Sequence, residues 1–141
     1  REELEFLDRY LDLEQMRFGD RLRVERDIDP SLLPLPIPTL LLQPLVENAI
    51  KHGVEPVTRP GTVTVRIERT DDGRVRLEVH DDGRGVPPGG PSREGVGTSN
   101  TRHRLRQQYG SAASFVLTPR EGGGTSAIIE IPGPAGIQDE D

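Results

Sequence analysis

The stretch "LLQPLVENAIKHG" (Leu41–Gly53) decides how the rest of the chain is read. Leu41, Leu42, Leu45, Val46, Ala49 and Ile50 recur at helical spacing and form one apolar face. Pro38 or Pro44 suits the first turn, where no backbone N–H is needed. The spacing predicts a helix running to about His52, with Gly53 as its stop. Glu47, Asn48, Lys51 and His52 fall on the other face. The plain reading of that face is a solvated one, with Glu47 and Lys51 paired at about 0.3–0.5 kcal/mol. The chemical reading is that the Asn48 amide oxygen is acceptable to Mg²⁺. Lys51, three residues on, then reaches a phosphate from a neighbouring part of the same face.

On the N-terminal side, Leu4, Leu7, Leu11 and Phe18 fall on one helical face, widened by Phe6, Tyr10 and Leu13, with Gly19 as a stop. The chain opens at Arg1 inside this pattern, without an initiator Met. The expectation is a piece of a longer protein, with residues 1–19 leading in from an upstream domain or packing on this one. Arg21–Ile28 alternates as a strand. Four prolines between Pro30 and Pro38 then forbid regular structure. Beyond Gly53, Val63, Val65 and Ile67 alternate with polar residues, as do Val75, Leu77 and Val79. Asp71-Asp72-Gly73 lies between the two runs, giving a hairpin with one buried face. Asp81–Gly97 is rich in Gly and Pro and reads as a loop. Thr98–Tyr109 reads as a helix capped by Gly110. Ser114–Thr118 and Thr125–Ile131 read as strands joined by "PREGGG". The polar tail 133–141 is expected to be disordered. This order predicts an α+β fold, a two-layer α/β sandwich with helices on one face of a mixed, mostly antiparallel sheet.

Composition narrows the function. A length of 141 residues fits one domain. A net charge of -6, a pI near 5.1 and the absence of Trp disfavour nucleic-acid binding and a stacking surface for bases. With no cysteine there is neither a disulfide framework nor a Cys-based zinc site. No apolar run approaches the roughly 18–20 residues of a membrane span.

Three glycine segments sit where backbone N–H groups can face a ligand. In "DDGRG", Asp81 closes a strand, and Gly83 and Gly85 leave room for a flat group beside the backbone. A carboxylate there can accept a hydrogen bond from an exocyclic amine, a means of selecting adenine. In "GVGTSN", Gly95, Val96 and Gly97 precede a helix whose N-terminus favours an anion. "GGGTS" (Gly122–Ser126) opens the last strand. Each segment alone is no more than an ordinary turn or helix entry; their order is more specific.

That order resembles the GHKL nucleotide-binding domains, which have a Bergerat-type ATP-binding fold and include gyrase B-type and Hsp90-type ATPases, MutL and histidine kinases. In them an Asn-bearing helix is followed by Asp-x-Gly-x-Gly, a Gly-x-Gly segment and a late Gly-Thr pair. The counterparts here are Glu47–His52, Asp81–Gly85, Gly95–Gly97 and Gly124-Thr125. A closer resemblance is to LytS-type sensor histidine kinases. It rests on Pro38–Gly53, on Tyr10, Leu11, Glu14, Arg17 and Phe18, and on Gly95–Gly110, which includes Asn100, Arg104, Leu105 and Tyr109.

The resemblance implies a catalytic domain over residues 20–132 that binds ATP and Mg²⁺. Asn48 would hold Mg²⁺, with Lys51 or His52 near phosphate. Asp81 would take the adenine amine, with Gly83 and Gly85 beside the ring. Residues 86–94 would be a lid. Gly95, Val96 and Gly97 would offer backbone N–H groups to phosphate, and Thr125 would support Asp81. Two positions depart from the pattern. Thr98 stands where Leu is usual. Pro44 stands one helical turn before Asn48, where gyrase-like ATPases keep a water-activating Glu. Glu47 sits beside Asn48 instead, about 100° round the helix, and is a candidate to polarise a nucleophile or hold a water on the metal. The pattern therefore implies a phosphoryl donor more than a hydrolase.

None of His52, His80 and His103 has the helix and following Pro of a LytS-type phosphoacceptor. The resemblance places the acceptor in an upstream dimerisation domain and gives a response regulator as the later recipient. It also implies a parent that is a membrane-bound homodimer with this domain on the cytoplasmic side. The competing expectations are a nucleotide-binding scaffold without transfer activity and an anti-sigma-factor serine kinase.

Overall fold

The computed structural model describes residues 2–32, 39–54, 60–82, 96–119 and 124–133. Helix α1 (Glu2–Phe18) buries Leu7 and Leu11. Tyr10 and Phe18 pack at the margin of the core. Phe6 and Leu13, expected to widen the apolar face, are exposed instead, at 56% and 62%. The helix meets the domain along one line, so residues off that line turn to solvent. Gly19, at φ +59°, ends it in a left-handed conformation that a side chain disfavours.

Polar contacts fix α1 on β1 (Leu22–Ile28). The Gln15 side chain donates to the Leu22 carbonyl and accepts from the Val24 N–H at 3.2 Å. Arg26 donates to Asp8 at 2.9 Å and to Asp12 at 3.0 Å. Beyond β1, Asp29 caps a 3₁₀ turn at Pro30–Leu32, its carboxylate accepting from the Ser31 N–H at 3.0 Å.

The other strands are β2 (Gly61–Arg69), β3 (Val75–Asp81), β4 (Ser114–Pro119) and β5 (Thr125–Ile131), in the sheet order β1-β2-β3-β5-β4. β1 and β2 run parallel and every other pair is antiparallel, so the sheet is mixed, as expected. A parallel pair needs a crossover, and the helical run 39–54 lies within it. Period-2 alternation puts Val63, Val65, Ile67, Val75, Leu77, Val79, Ala127, Ile129 and Ile131 on one buried face. Helical side chains cover that face, giving the two-layer sandwich.

All six apolar residues of the 41–53 stretch are buried in this core. At about 1.5–3 kcal/mol per large side chain, their burial anchors the whole run. The run winds as a 3₁₀ turn (Thr39–Leu42), then α2 (Gln43–Asn48) with Pro44 in its first turn, then a π turn (Ala49–Val54). The expected stop at Gly53 is therefore corrected: winding continues through it to Val54. A π turn holds more residues than an α turn and rephases the side chains after Asn48, and Ala49 and Ile50 both still reach the core.

Helix α3 (Val96–Tyr109) begins two residues before the expected Thr98, and the turn Gly110–Ala112 follows it. Gly97 thus lies in the first helical turn rather than in a loop. The first N–H groups of a helix have no partner within it, so a glycine there gives up little.

Candidate nucleotide site

The site starts at the end of β3. Asp81 follows Val75, Leu77 and Val79 on the core side of the strand and is only 2% exposed. A carboxyl group at that depth is costly unless hydrogen-bonded. Its neighbour Asp82 has a different task. The Asp82 carboxylate accepts from the Thr62 N–H at 2.8 Å, and its own N–H donates to the Thr62 carbonyl at 3.3 Å, tying the ends of β2 and β3 together.

Thr125 is the register partner of Asp81 across β3 and β5, and it is as deeply buried. Gly124 comes just before it at φ +96°. A Cβ built on Gly124 would lie 1.8 Å from the Asp81 carbonyl oxygen and 2.8 Å from the Asp82 Cα. The Gly-Thr pair is thus a close backbone crossing that seats a hydroxyl-bearing residue beside Asp81.

The helix side of the site comes from the 41–53 stretch. Its π turn packs on β3, and α2 packs on α3. Asn48 is half-buried, whereas Glu47 and Lys51 are exposed. Gln43 Nε2 lies 3.5 Å from the Glu47 carboxylate. Glu47 lines openings on both sides of the helix. Toward α3 it shares a groove of about 220 Å³ with Pro44, Asn100, Thr101 and Arg104. Toward α1 it shares a cleft of about 360 Å³ with Tyr10, Glu14, Arg17, Ile50 and Lys51. Burial, then the nearby Glu14 and Glu47, raise the Tyr10 phenol well above its ordinary value, so it stays a neutral O–H donor.

Asp81 and Thr125 are brought together, and the strand bearing Asp81 meets the turn that follows Asn48. His52 belongs to the π turn, and Val96 and Gly97 to the first turn of α3, by their backbone. Gly83, Gly85, Gly95 and the 86–94 stretch lie outside the described residues. No sequence expectation gave Tyr10, Glu14, Asn100 or Arg104 a place around Glu47. A signal was present: Tyr10, Glu14 and Arg17 repeat at four- and three-residue steps on the helix that bears the apolar stripe.

His80 lies on the outer face of the sheet. Its Nδ1 is 2.7 Å from Ser126 Oγ, and its Nε2 is 2.6 Å from the buried Glu78 carboxylate. With both ring nitrogens engaged, it links β3 to β5 through Ser126 and to Glu78 on its own strand.

A two-layer α/β sandwich with a buried carboxylate ending a central strand, beside an Asn-bearing helix, defines the class: the ATPase fold of histidine kinases. The chain belongs to the family of histidine kinase-, DNA gyrase B- and HSP90-like ATPases, whose family model matches residues 38–135. It is 36% identical over 141 aligned residues to the sensor protein LytS of Bacillus subtilis, covering 92% of this chain and 24% of that protein. It is 40% identical over 118 residues to the sensor histidine kinase YpdA of Escherichia coli, covering 78% of this chain and 20% of that protein. The chain thus spans a quarter or less of these curated relatives. Among solved structures, the blue-light activated histidine kinase EL346 of Erythrobacter litoralis superposes with a TM-score of 0.69 at 28% identity, over 91% of this chain and 41% of that one. The LytS-type resemblance and the sandwich fold both hold. The chain is a histidine kinase-type ATPase domain.

Proposed function

We propose that this domain binds Mg·ATP and donates the γ-phosphoryl group to a histidine outside the described site. The observation that carries the reading is the burial of Asp81 in register with Thr125, on a strand that packs against the π turn following Asn48. Asp81 accepts the adenine amine, and Thr125 supports it. Gly83 and Gly85 lie beside the ring. Gly95, Val96 and Gly97 present N–H groups to phosphate at the start of α3, and Lys51 and His52 add positive or donor groups.

The donor set fits Mg²⁺. Among the described residues no three His, Cys, Asp or Glu side chains gather into a metal cage. A half-buried amide oxygen at Asn48, with phosphate oxygens and water completing the shell, is the way this ion is commonly held beside a nucleotide. When bound, the ion would neutralise charge on the phosphates; Asn48 would hold it, and Glu47 would position a water or the incoming nucleophile. Pro44 cannot serve as a base, which favours transfer to a side chain over hydrolysis.

In this reading the acceptor histidine belongs to an upstream dimerisation domain of a homodimeric, membrane-anchored parent, with this domain on the cytoplasmic side. A response regulator takes the phosphoryl group next. Among the described residues no helix is long and apolar enough to cross a membrane.

Calorimetric titration of the chain with Mg·ATP and Mg·ADP tests the binding. Micromolar to low-millimolar affinity, lost in Asp81→Asn, supports the reading; no heat at millimolar nucleotide refutes it. Label from γ-labelled ATP should not be incorporated into the isolated chain.

A further inference from the structure

Away from the nucleotide site, α3 ends in a basic pocket. The helix carries Arg102, Arg104 and Arg106 and no Asp or Glu, in a chain whose net charge is -6. Between its last turns and the start of β4 lies a pocket of about 490 Å³ whose lining includes Arg102, Arg106, Ser111, Ser114 and Phe115, with no acidic side chain among its described residues. Its frame is fixed. The Arg102 guanidinium lies 4.6 Å from the centre of the Phe115 ring and donates to the Phe115 carbonyl at 3.0 Å. Arg74 donates to the Ala112 carbonyl at 2.6 Å and so holds the turn Gly110–Ala112.

The lining selects a ligand. Two guanidinium groups repel a cation. An apolar ligand finds little surface, since Leu105 and Phe115 are 4% and 7% exposed. Carboxylates fit, because their paired oxygens match the guanidinium fork. The sheet indicates which carboxylates. β4 is an edge strand, and its first residue, Ser114, lies opposite Glu130 of β5. β5 ends one residue later, at Ile131, so the chain leaves the sheet beside the pocket. The acidic run Asp139-Glu140-Asp141 follows, outside the described residues. Asp139 is six residues beyond Gly133, the last described residue, a reach of up to about 20 Å. That is several times the spacing of about 4.8 Å between neighbouring strands.

We propose that the pocket between α3 and β4 receives the acidic run Asp139–Asp141 of the same chain, with Arg102 and Arg106 taking its carboxylates. Arg102 is oriented in advance by Phe115, and Arg106 is the exposed partner at the rim. An exposed ion pair is weak on its own, but the tether to β5 keeps the run at a millimolar effective concentration beside its site. The tail, expected to be disordered, thereby gains a place on the domain. It braces the far end of α3, the helix whose first turn holds Val96 and Gly97. The proposal is independent of the nucleotide reading.

The test compares the full ¹⁵N-labelled chain with a neutral-tail variant, Asp139→Asn, Glu140→Gln and Asp141→Asn. At low salt their amides should differ at Arg102, Arg106, Ser111 and Ser114, and not along β1, the opposite edge of the sheet. The differences should not depend on chain concentration. They should fade as NaCl rises from about 0.01 M to about 1 M, which shortens the screening length roughly tenfold. An end-capped peptide with the sequence of residues 136–141 should shift the same amides of the neutral-tail variant. The parent chain, its pocket already held by a tethered tail, should need at least about twice as much peptide. Adding Arg106→Gln to the neutral-tail variant should weaken the peptide about 2- to 5-fold. Arg23→Gln, on β1, should leave it unchanged. Identical pocket amides in the parent and neutral-tail chains, or undiminished peptide binding with Arg106→Gln, overturn the proposal. So do differences that grow with chain concentration, which assign the pocket to the tail of a second copy, and inorganic phosphate that shifts these amides at lower concentration than the peptide, which makes it a small-anion site.

Discussion

Gly124 crosses Asp81 so closely that a Cβ on the glycine would sit 1.8 Å from the aspartate carbonyl oxygen. Two segments more than forty residues apart in sequence thus share one point in space, and the buried carboxyl of Asp81 stands there with Thr125 alongside. Four expectations follow from this and its surroundings.

Gly124→Ala should be severely destabilising. The new methyl group meets backbone on β3, which cannot swing aside as a side-chain tip would, and φ +96° is strained for alanine. A loss on the order of 3 kcal/mol or more is expected in chemical denaturation. A loss within about 0.5 kcal/mol, the range of an ordinary surface substitution, contradicts the crossing.

Thr125→Val keeps the branched shape suited to a strand and removes the hydroxyl. Stability should change by no more than about 1–2 kcal/mol, whereas nucleotide affinity should drop roughly 5- to 30-fold if the hydroxyl supports Asp81. Equal nucleotide affinities for the two chains would remove Thr125 from the site.

Asn48→Ala should uncouple nucleotide binding from Mg²⁺. In the parent chain, adding Mg²⁺ should tighten ATP; in the variant that gain should shrink by about tenfold or more, the scale of one ligand. Metal-free nucleotide affinity should change little. The check is a pair of titrations, with Mg²⁺ and with a chelator.

Acid should destabilise the domain partly through Asp29. The Ser31 N–H, then the Ser31 hydroxyl, hold its carboxyl below the ordinary value, and the Thr70 hydroxyl does the same for Asp72. A depressed carboxylate contributes stability above its unfolded pKa and loses it as pH falls through the lower folded one. Asp29→Asn should therefore flatten the decline of stability below about pH 4–5. Denaturant midpoints measured from pH 7 down to pH 3 would show it, and parallel curves for the two chains would rule Asp29 out.

Much of the fold was legible because its periods are strong. Val63–Ile67 and Val75–Val79 alternate without interruption, and their burial follows that alternation. The apolar face of Leu41–Ile50 was equally clear, since every predicted core residue there is buried. The misreadings have local causes. Phe6 and Leu13 are apolar, but a helix docked along one line cannot bury them. Gly53 looked like a stop, but it winds into a π turn held by Ala49 and Ile50. Gly97 looked like loop, but first-turn positions tolerate glycine. As for the site, Asp81, Thr125 and Asn48 could be singled out from motif order, whereas the openings around Glu47 could not.

The sequence by itself determined the elements, the polarity of their faces and the family, because side-chain period and motif order are properties of a linear string. Only the tertiary structure decided which polar residues meet. The register β3–β5 sets Thr125 beside Asp81, and the docking of α1, fixed by Gln15, Arg26 and the Leu7–Leu11 stripe, sets Tyr10 and Glu14 across from Glu47. Strand register and helix docking depend on contacts between residues far apart in the chain, and no local period encodes them.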